Sequence, residues 1–135
     1  MIPEKMELIT RQLCLTQHLG TKDVLFGGQM LAWADVASSL WCSRLTGSDS
    51  LLTVHMSDID FLTPVRVGDI VEFYGDGYRI GKSSVTVKVV VKTNDPRTNV
   101  TSEAFRFHSV MVNVDRNMRP KPLPEGVQGR SENMD

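Results

Sequence analysis

Between Leu25 and Ser43 only Asp35 carries charge, and it stands in a run that reads as a helix. Its neighbours one turn away are Leu31, Ala32, Ser38 and Ser39, all apolar or small. A carboxylate shut in among them pays a desolvation cost, which strengthens it as a proton acceptor. Such a group can draw a proton from water, or it can simply be satisfied by Ser38, Ser39 or a backbone donor. Phe26-Gly27-Gly28 opens the same run, about two and a half helical turns before Asp35. The first amides of a helix lack partners and lie at the positive end of its dipole. Without side chains in the way, the amides of Gly27 and Gly28 can receive a developing oxyanion. Close packing of the helix on a sheet is the other reason for two glycines there.

Other candidates are weaker. Gly81-Lys82-Ser83-Ser84 invites a P-loop reading that fails, because the glycine required five positions earlier is Asp76, with Gly75 and Gly77 each one place off. A valine-alternating segment follows instead of a helix. His18, His55 and His108 lack metal-ligand spacing and no carboxylate cluster joins them, so no metal is expected. His55 and His108 read as strand-face residues, whereas His18 lies in the loop leading to the two glycines. Cys14 and Cys42 form no CxxC pair. Cys42 lies about two turns beyond Asp35 and reads as core, while Met30, Trp33 and Trp41 at helical spacing read as core or dimer contacts.

A net charge of −1 gives no electrostatic reason to expect nucleic acid or an anionic membrane. The first residues, MIPEKMELITRQ, lack an apolar signal core, and a cytoplasmic location is expected. The nineteen positions from Leu25 to Ser43 are long enough to raise a membrane question. Paired glycines, Gln29, Ser38, Ser39 and a central carboxylate argue instead for a helix buried inside a domain.

The elements that must position these residues follow from periodicity. ELITRQLCL (7–15) reads as a first strand and 16–25 as a loop. The helix runs from Phe26-Gly27-Gly28 to a stop at Gly47, with Arg44 in its last turn. LLTVHMSDIDFL (51–62) reads as a strand with Leu52, Val54 and Met56 on one face and a bulge before Ile59 and Phe61. DIVEFYGDGYRI (69–80) is a strand bent at its glycines. SSVTVKVVVKT (83–93) alternates cleanly through Val85, Val87, Val89 and Val91. Ser102–Val114 closes the series with Val110, Val112 and Val114 in phase. Residues 1–115 form one domain, and 116–135 read as a flexible polar tail. A lone helix apolar on every side must be covered nearly all round. A curved antiparallel sheet can do that, with a second subunit covering the remainder.

Four segments then carry a family resemblance. FGGQMLAWADVA (26–37) resembles the helix start of hotdog-fold acyl-CoA thioesterases of the bacterial short-chain and brain acyl-CoA hydrolase types. LLTVHMSDIDFLTPVRVGDIVEFYG (51–75), IGKSSVTVKVVV (80–91) and VMVNVD (110–115) resemble that family's later strands, in the same order. The resemblance spans residues 7–124. It implies an α+β hotdog fold, a single long helix wrapped by a curved five- or six-stranded antiparallel sheet. It further implies hydrolysis of acyl-CoA to free CoA and a fatty acid, with coenzyme A as part of the substrate and no separate cofactor.

On this resemblance Asp35 is the general base, the Gly27 and Gly28 amides form the oxyanion hole, and Lys82, Ser83 and Ser84 meet the CoA phosphates. The family's usual asparagine is missing. Six residues before Phe26 stands Gly20, and an alignment on Gln17-His18-Leu19-Gly20-Thr21 puts Gln17 in the asparagine's place. Homodimers with the site at their interface, assembling to hexamers, are also implied. A non-catalytic acyl-CoA-binding hotdog protein is the alternative. Enoyl-thioester hydration ranks last, since no histidine lies within 26–45.

Overall fold

The computed structural model describes residues 6–134. Strand β1 (Glu7–Leu13) leads through a 3₁₀ turn at Thr16–His18 into helix α1 (Gly27–Thr46). Strands β2 (Leu51–Phe61), β3 (Ile70–Ile80), β4 (Ser84–Asp95) and β5 (Val100–Asn113) follow, then the two-residue β6 (Ser131–Glu132). All pairings are antiparallel. The strands lie in the order β1-β3-β4-β5-β2, with β6 on β3. The helix lies on one face of this sheet, as in the hotdog fold. Gly47 ends it in the left-handed region (φ 74°), donating its N–H to the Ser43 carbonyl at 2.8 Å.

The core forms where the alternation is cleanest. Val85, Val87, Val89 and Val91 are fully buried and face α1 together with Phe73, Phe105 and Phe107. Met30, Trp33, Ala34, Ala37, Trp41 and Cys42 supply the helix side. Gly75 is needed for this contact, because a Cβ there would run into the Trp41 ring. The β3 bulge falls between Gly75 and Gly77, at the bend the glycines marked.

Two faces come out differently from their sequence pattern. In β2 one bulge lies between Ser57 and Asp60, where it was expected, and a second between Thr53 and His55. Each extra residue reverses the alternation. Leu51 and Met56 therefore pack on the core, while Leu52 and Val54 are 39% and 52% exposed. In β5 the buried face is Phe105, Phe107, Ser109, Met111 and Asn113, and the valines 110, 112 and 114 lie half-buried.

The loose tail expected beyond residue 115 is instead laid against the domain. Leu123 is 2% exposed and donates its N–H to the Lys82 carbonyl at 2.7 Å. Buried Asn113 holds the same segment, its amide Nδ2 donating to the Pro122 carbonyl at 3.2 Å. Composition pointed to solvent, but these anchors are tertiary and leave no periodic trace.

The helix is also less covered than its composition implies. Val36 and Leu40 are 54% and 50% exposed, forming an open apolar stripe within a single chain. Among the described residues no helix is long and apolar enough to cross a membrane.

Substituting Gly75→Ala should drive a methyl into Trp41 and cost about 1–3 kcal/mol, read as a lower urea midpoint. Gly126→Ala, where an added Cβ meets nothing within 4 Å, is the control. Equal midpoints for the two variants would contradict the packing.

Candidate active site

Asp35 sits mid-helix, one residue beyond the buried pair Trp33-Ala34, and is half-buried rather than dry. The expected enclosure fails because its side of α1 borders the open stripe at Val36. Its carboxylate has one firm partner among the described residues. Thr53 donates its hydroxyl proton to Asp35 Oδ1 at 2.7 Å. The serines suggested by helical spacing do not reach it. Ser38 donates to the Ala34 carbonyl at 3.0 Å and Ser39 to the Asp35 carbonyl at 2.9 Å, both closing on the helix backbone. Thr53 escaped the sequence reading because the bulge beside it sets its direction, and LLTV assigns it only to a strand.

More than two turns before Asp35 stands the helix start. Phe26 is its N-cap, extended (φ −64°, ψ 133°), and provides no side-chain cap. The Phe26 carbonyl accepts from Gln29 and Met30 at 3.0 and 3.1 Å. The N–H groups of Gly27 and Gly28 have no partner among the described residues. They are free donors at the positive end of a 20-residue helix. The two glycines differ in why they must be small. A Cβ on Gly28 would lie 2.6 Å from the Phe26 ring, whereas on Gly27 it would meet the Phe61 ring at an ordinary 3.6 Å. Beside Gly27 opens an apolar cleft of about 350 Å³, lined by Leu25, Met30, Phe61, Pro64 and Val65 among others.

Gln17 lies in the 3₁₀ turn with its side chain exposed. His18 is committed locally. Its Nδ1 accepts from the Leu15 N–H at 3.0 Å and its ring meets Trp33 edge-on at 4.8 Å. Lys82 and Ser83 lie in the β3–β4 turn, with Lys82 exposed, and Ser84 opens β4. Register places Val85 and Thr53 on either side of Met111, so this turn lies near the Asp35 end of the sheet. Phe61 pairs with Phe105, which pairs with Val91, so Gly27 lies near the opposite strand ends. One chain therefore keeps its two candidate clusters apart.

His55 is exposed, and His108 approaches Asp58 with Nδ1 3.0 Å from Oδ2, so both are strand-face residues. No group of three or more His, Cys, Asp or Glu gathers among the described residues. Cys14 and Cys42 are free and buried. Burial pushes the Cys42 thiol up to about 12, which leaves almost no thiolate near neutral pH.

The family model of the thioesterase superfamily matches residues 22–100. An uncharacterized acyl-CoA thioester hydrolase of Haemophilus influenzae is 28% identical, over 87% of this chain and 77% of that protein. The acyl-CoA thioester hydrolase YciA of Salmonella typhimurium is 25% identical, over 91% of this chain and 92% of its own. Among solved structures, a hexameric thioesterase of Yersinia pestis superposes with a TM-score of 0.83 at 26% identity, covering 93% of this chain and 100% of that one.

Because thiolate is the reactive form, Cys42 is expected to resist a disulfide reagent at pH 8 in the native protein and to react at once in urea. Fast native labelling of Cys42 in a Cys14→Ser background would contradict its burial.

Proposed function

This chain belongs to the thioesterase superfamily, and we propose that it hydrolyses acyl-CoA, releasing free CoA and a carboxylic acid. The observation that carries the reading is the pairing of a half-buried carboxylate, oriented by a hydroxyl, with a helix start whose two glycine amides are free. Relatives named as acyl-CoA thioester hydrolases over most of the chain's length supply the substrate class.

The roles follow from the atoms. Thr53 occupies Asp35 Oδ1, which leaves Oδ2 to take a proton from water. The oxygen so activated adds to the thioester carbonyl carbon. Charge moves to the carbonyl oxygen, where the Gly27 and Gly28 amides receive it. Collapse of the tetrahedral intermediate breaks the C–S bond, and the CoA sulfur leaves with the proton that Asp35 Oδ2 took from water, which restores the carboxylate. The apolar cleft beside Gly27 suits the acyl chain.

A single chain does not assemble this site. Eight residues separate Gly27 from Asp35, which is ~12 Å along an α-helix, too far for one carbonyl to serve both. The exposed Val36 and Leu40 stripe and the free edge of β2, with Leu52 and Val54 exposed, suit an antiparallel second copy. In such a dimer the Asp35 of one subunit meets the glycine amides of the other. Hexameric relatives favour assembly of these dimers into hexamers. Two free, buried cysteines suit a reducing, cytoplasmic setting.

Gln17 is placed here as a rim residue of the site, in the position where the family has asparagine, and Lys82 with Ser83 and Ser84 as the approach for CoA. Binding of acyl-CoA without turnover is the rival outcome that the following variants decide.

Asp35→Asn keeps the shape and the Thr53 contact site but removes the base, so kcat should fall about 100-fold or more with CoA binding retained. Undiminished kcat would sink the assignment. Gly27→Pro deletes one amide hydrogen at the first helical position, where proline is tolerated and Phe26 already has the extended backbone that proline requires. Loss of one oxyanion donor is expected to lower kcat about 100-fold without unfolding the protein. For Thr53→Val, loss of a hydrogen bond to a charged group predicts a kcat about tenfold lower with KM unchanged. A loss of stability with kcat unchanged would make Thr53 structural only.

A further inference from the structure

The glycine pair of β3 borders a cavity at the end of the sheet away from β2. Strand β1 leaves β3 where Glu7 pairs with Gly75, and β6 joins it where Glu132 pairs with Tyr78. Between them, at Asp76 and Gly77, neither strand pairs with β3, and a space of about 260 Å³ lies there. One wall is the Trp41 ring, admitted by the absence of a Cβ on Gly75. Tyr78 meets that ring edge-on, with centroids 5.9 Å apart. Trp41 is 4% exposed, and its indole N–H has no hydrogen-bond partner among the described residues. An indole nitrogen only donates, so the missing partner is an acceptor. A buried donor left unpaired costs free energy and is rare in folded proteins. Cε2, the ring carbon bonded to that nitrogen, is among the atoms nearest Gly75, itself a wall of the cavity. The unpaired N–H therefore sits beside the cavity. The C-terminal segment brings charge to the same space, since Arg130 and Glu132 both line it. Neither takes part in an ion pair among the described residues. Glu7 lines it too, but its carboxylate is held by Arg44 at 2.9 Å.

We propose that this cavity binds a free α-amino acid with an apolar side chain. Its carboxylate takes the Trp41 indole N–H and the Arg130 guanidinium, and its ammonium group faces Glu132. The charges decide the class of ligand. With Glu7 tied to Arg44, one cation and one anion remain, which suits a molecule of no net charge that carries one of each. A simple anion would meet two carboxylates, Glu7 and Glu132, against one guanidinium. An amine without a carboxylate would leave the indole N–H unpaired. Leu45 and the two aromatic rings give the side chain an apolar wall. The site does not depend on the acyl-CoA reading. Trp41 lies six residues beyond Asp35, ~9 Å along the helix. The cavity lies by β1 and β3, whereas the surface assigned to a second subunit lies by β2, at the opposite end of the sheet.

The test uses the full-length protein with L-valine, L-leucine and L-methionine as probes. Each is titrated by calorimetry and followed in the NMR spectrum of protein labelled at the indole nitrogens. The chain has two tryptophans, so two indole N–H signals are expected, and Trp41→Phe or Trp33→Phe assigns them. At least one of the amino acids should bind and move the Trp41 signal downfield while the Trp33 signal stays in place. Arg130→Ala and Glu132→Gln, both at exposed positions, should each raise its Kd about tenfold with the urea midpoint unchanged. The N-acetyl and the amide derivatives of the same amino acid, each lacking one of its two charges, should bind at least about tenfold more weakly. No heat and no movement of the Trp41 signal at ~10 mM of any of the three would overturn the proposal. Binding that both variants leave unchanged would also overturn it. So would an N-acetyl derivative that binds as tightly as the free amino acid, which would leave a plain carboxylate site.

Discussion

The hydrogen bond from Thr53 to Asp35 gives the mid-helix carboxylate its fixed direction. A carboxylate in the middle of a helix has no backbone donor to meet, because every nearby N–H is spent on the helix itself. Unless another element supplies a donor, it must point to solvent or be lost as a defined group. Strand β2 supplies one, and only because a bulge next to Thr53 resets which side chains face the helix. The same bulge turns Leu52 and Val54 outward. One irregularity in one edge strand therefore orients Asp35 and creates the apolar edge that a second subunit would cover.

How much of this the sequence shows depends on the range of the interactions involved. Elements with strong local periodicity are legible, including the four valines of β4, the helix with its Gly47 stop, and the bends at Gly75 and Gly77. Asp35, Gly27 and Gly28 are legible as candidates because a lone charge and a glycine pair stand out against an apolar run. Thr53 is not, since a threonine in a strand is ordinary and its direction depends on a bulge paired across β5. The ordering of residues 116–134 is equally hidden. It depends on Asn113 and on the Lys82 carbonyl, contacts made by a distant strand and a distant turn. The dryness expected around Asp35 fails for a related reason. Helix composition reports what must be covered in the assembly, and one chain covers only part of it.

On the proposed mechanism, helix geometry sets the stoichiometry of the site. A rise of ~1.5 Å per residue places the free amides of one end and the mid-helix carboxylate farther apart than a single carbonyl can span. Two antiparallel helices, each lending its start to the middle of the other, remove that distance at no cost in strain. The exposed Val36 and Leu40 stripe is the surface on which such helices would meet. Catalysis and oligomerisation are, on this account, one requirement. The apolar face that must be hidden from water is also the face whose burial completes the site.

Subunit mixing tests that claim most directly. Asp35→Asn and Gly27→Pro chains, each nearly inactive alone, are unfolded together, refolded as a mixture and assayed for thioester hydrolysis. If each site draws its base from one subunit and its amides from the other, half of randomly mixed dimers carry one intact site, and activity returns to about a quarter of the wild-type value. A mixture no more active than the better of its parents would show that each chain uses its own Asp35 with its own helix start, and would contradict the account.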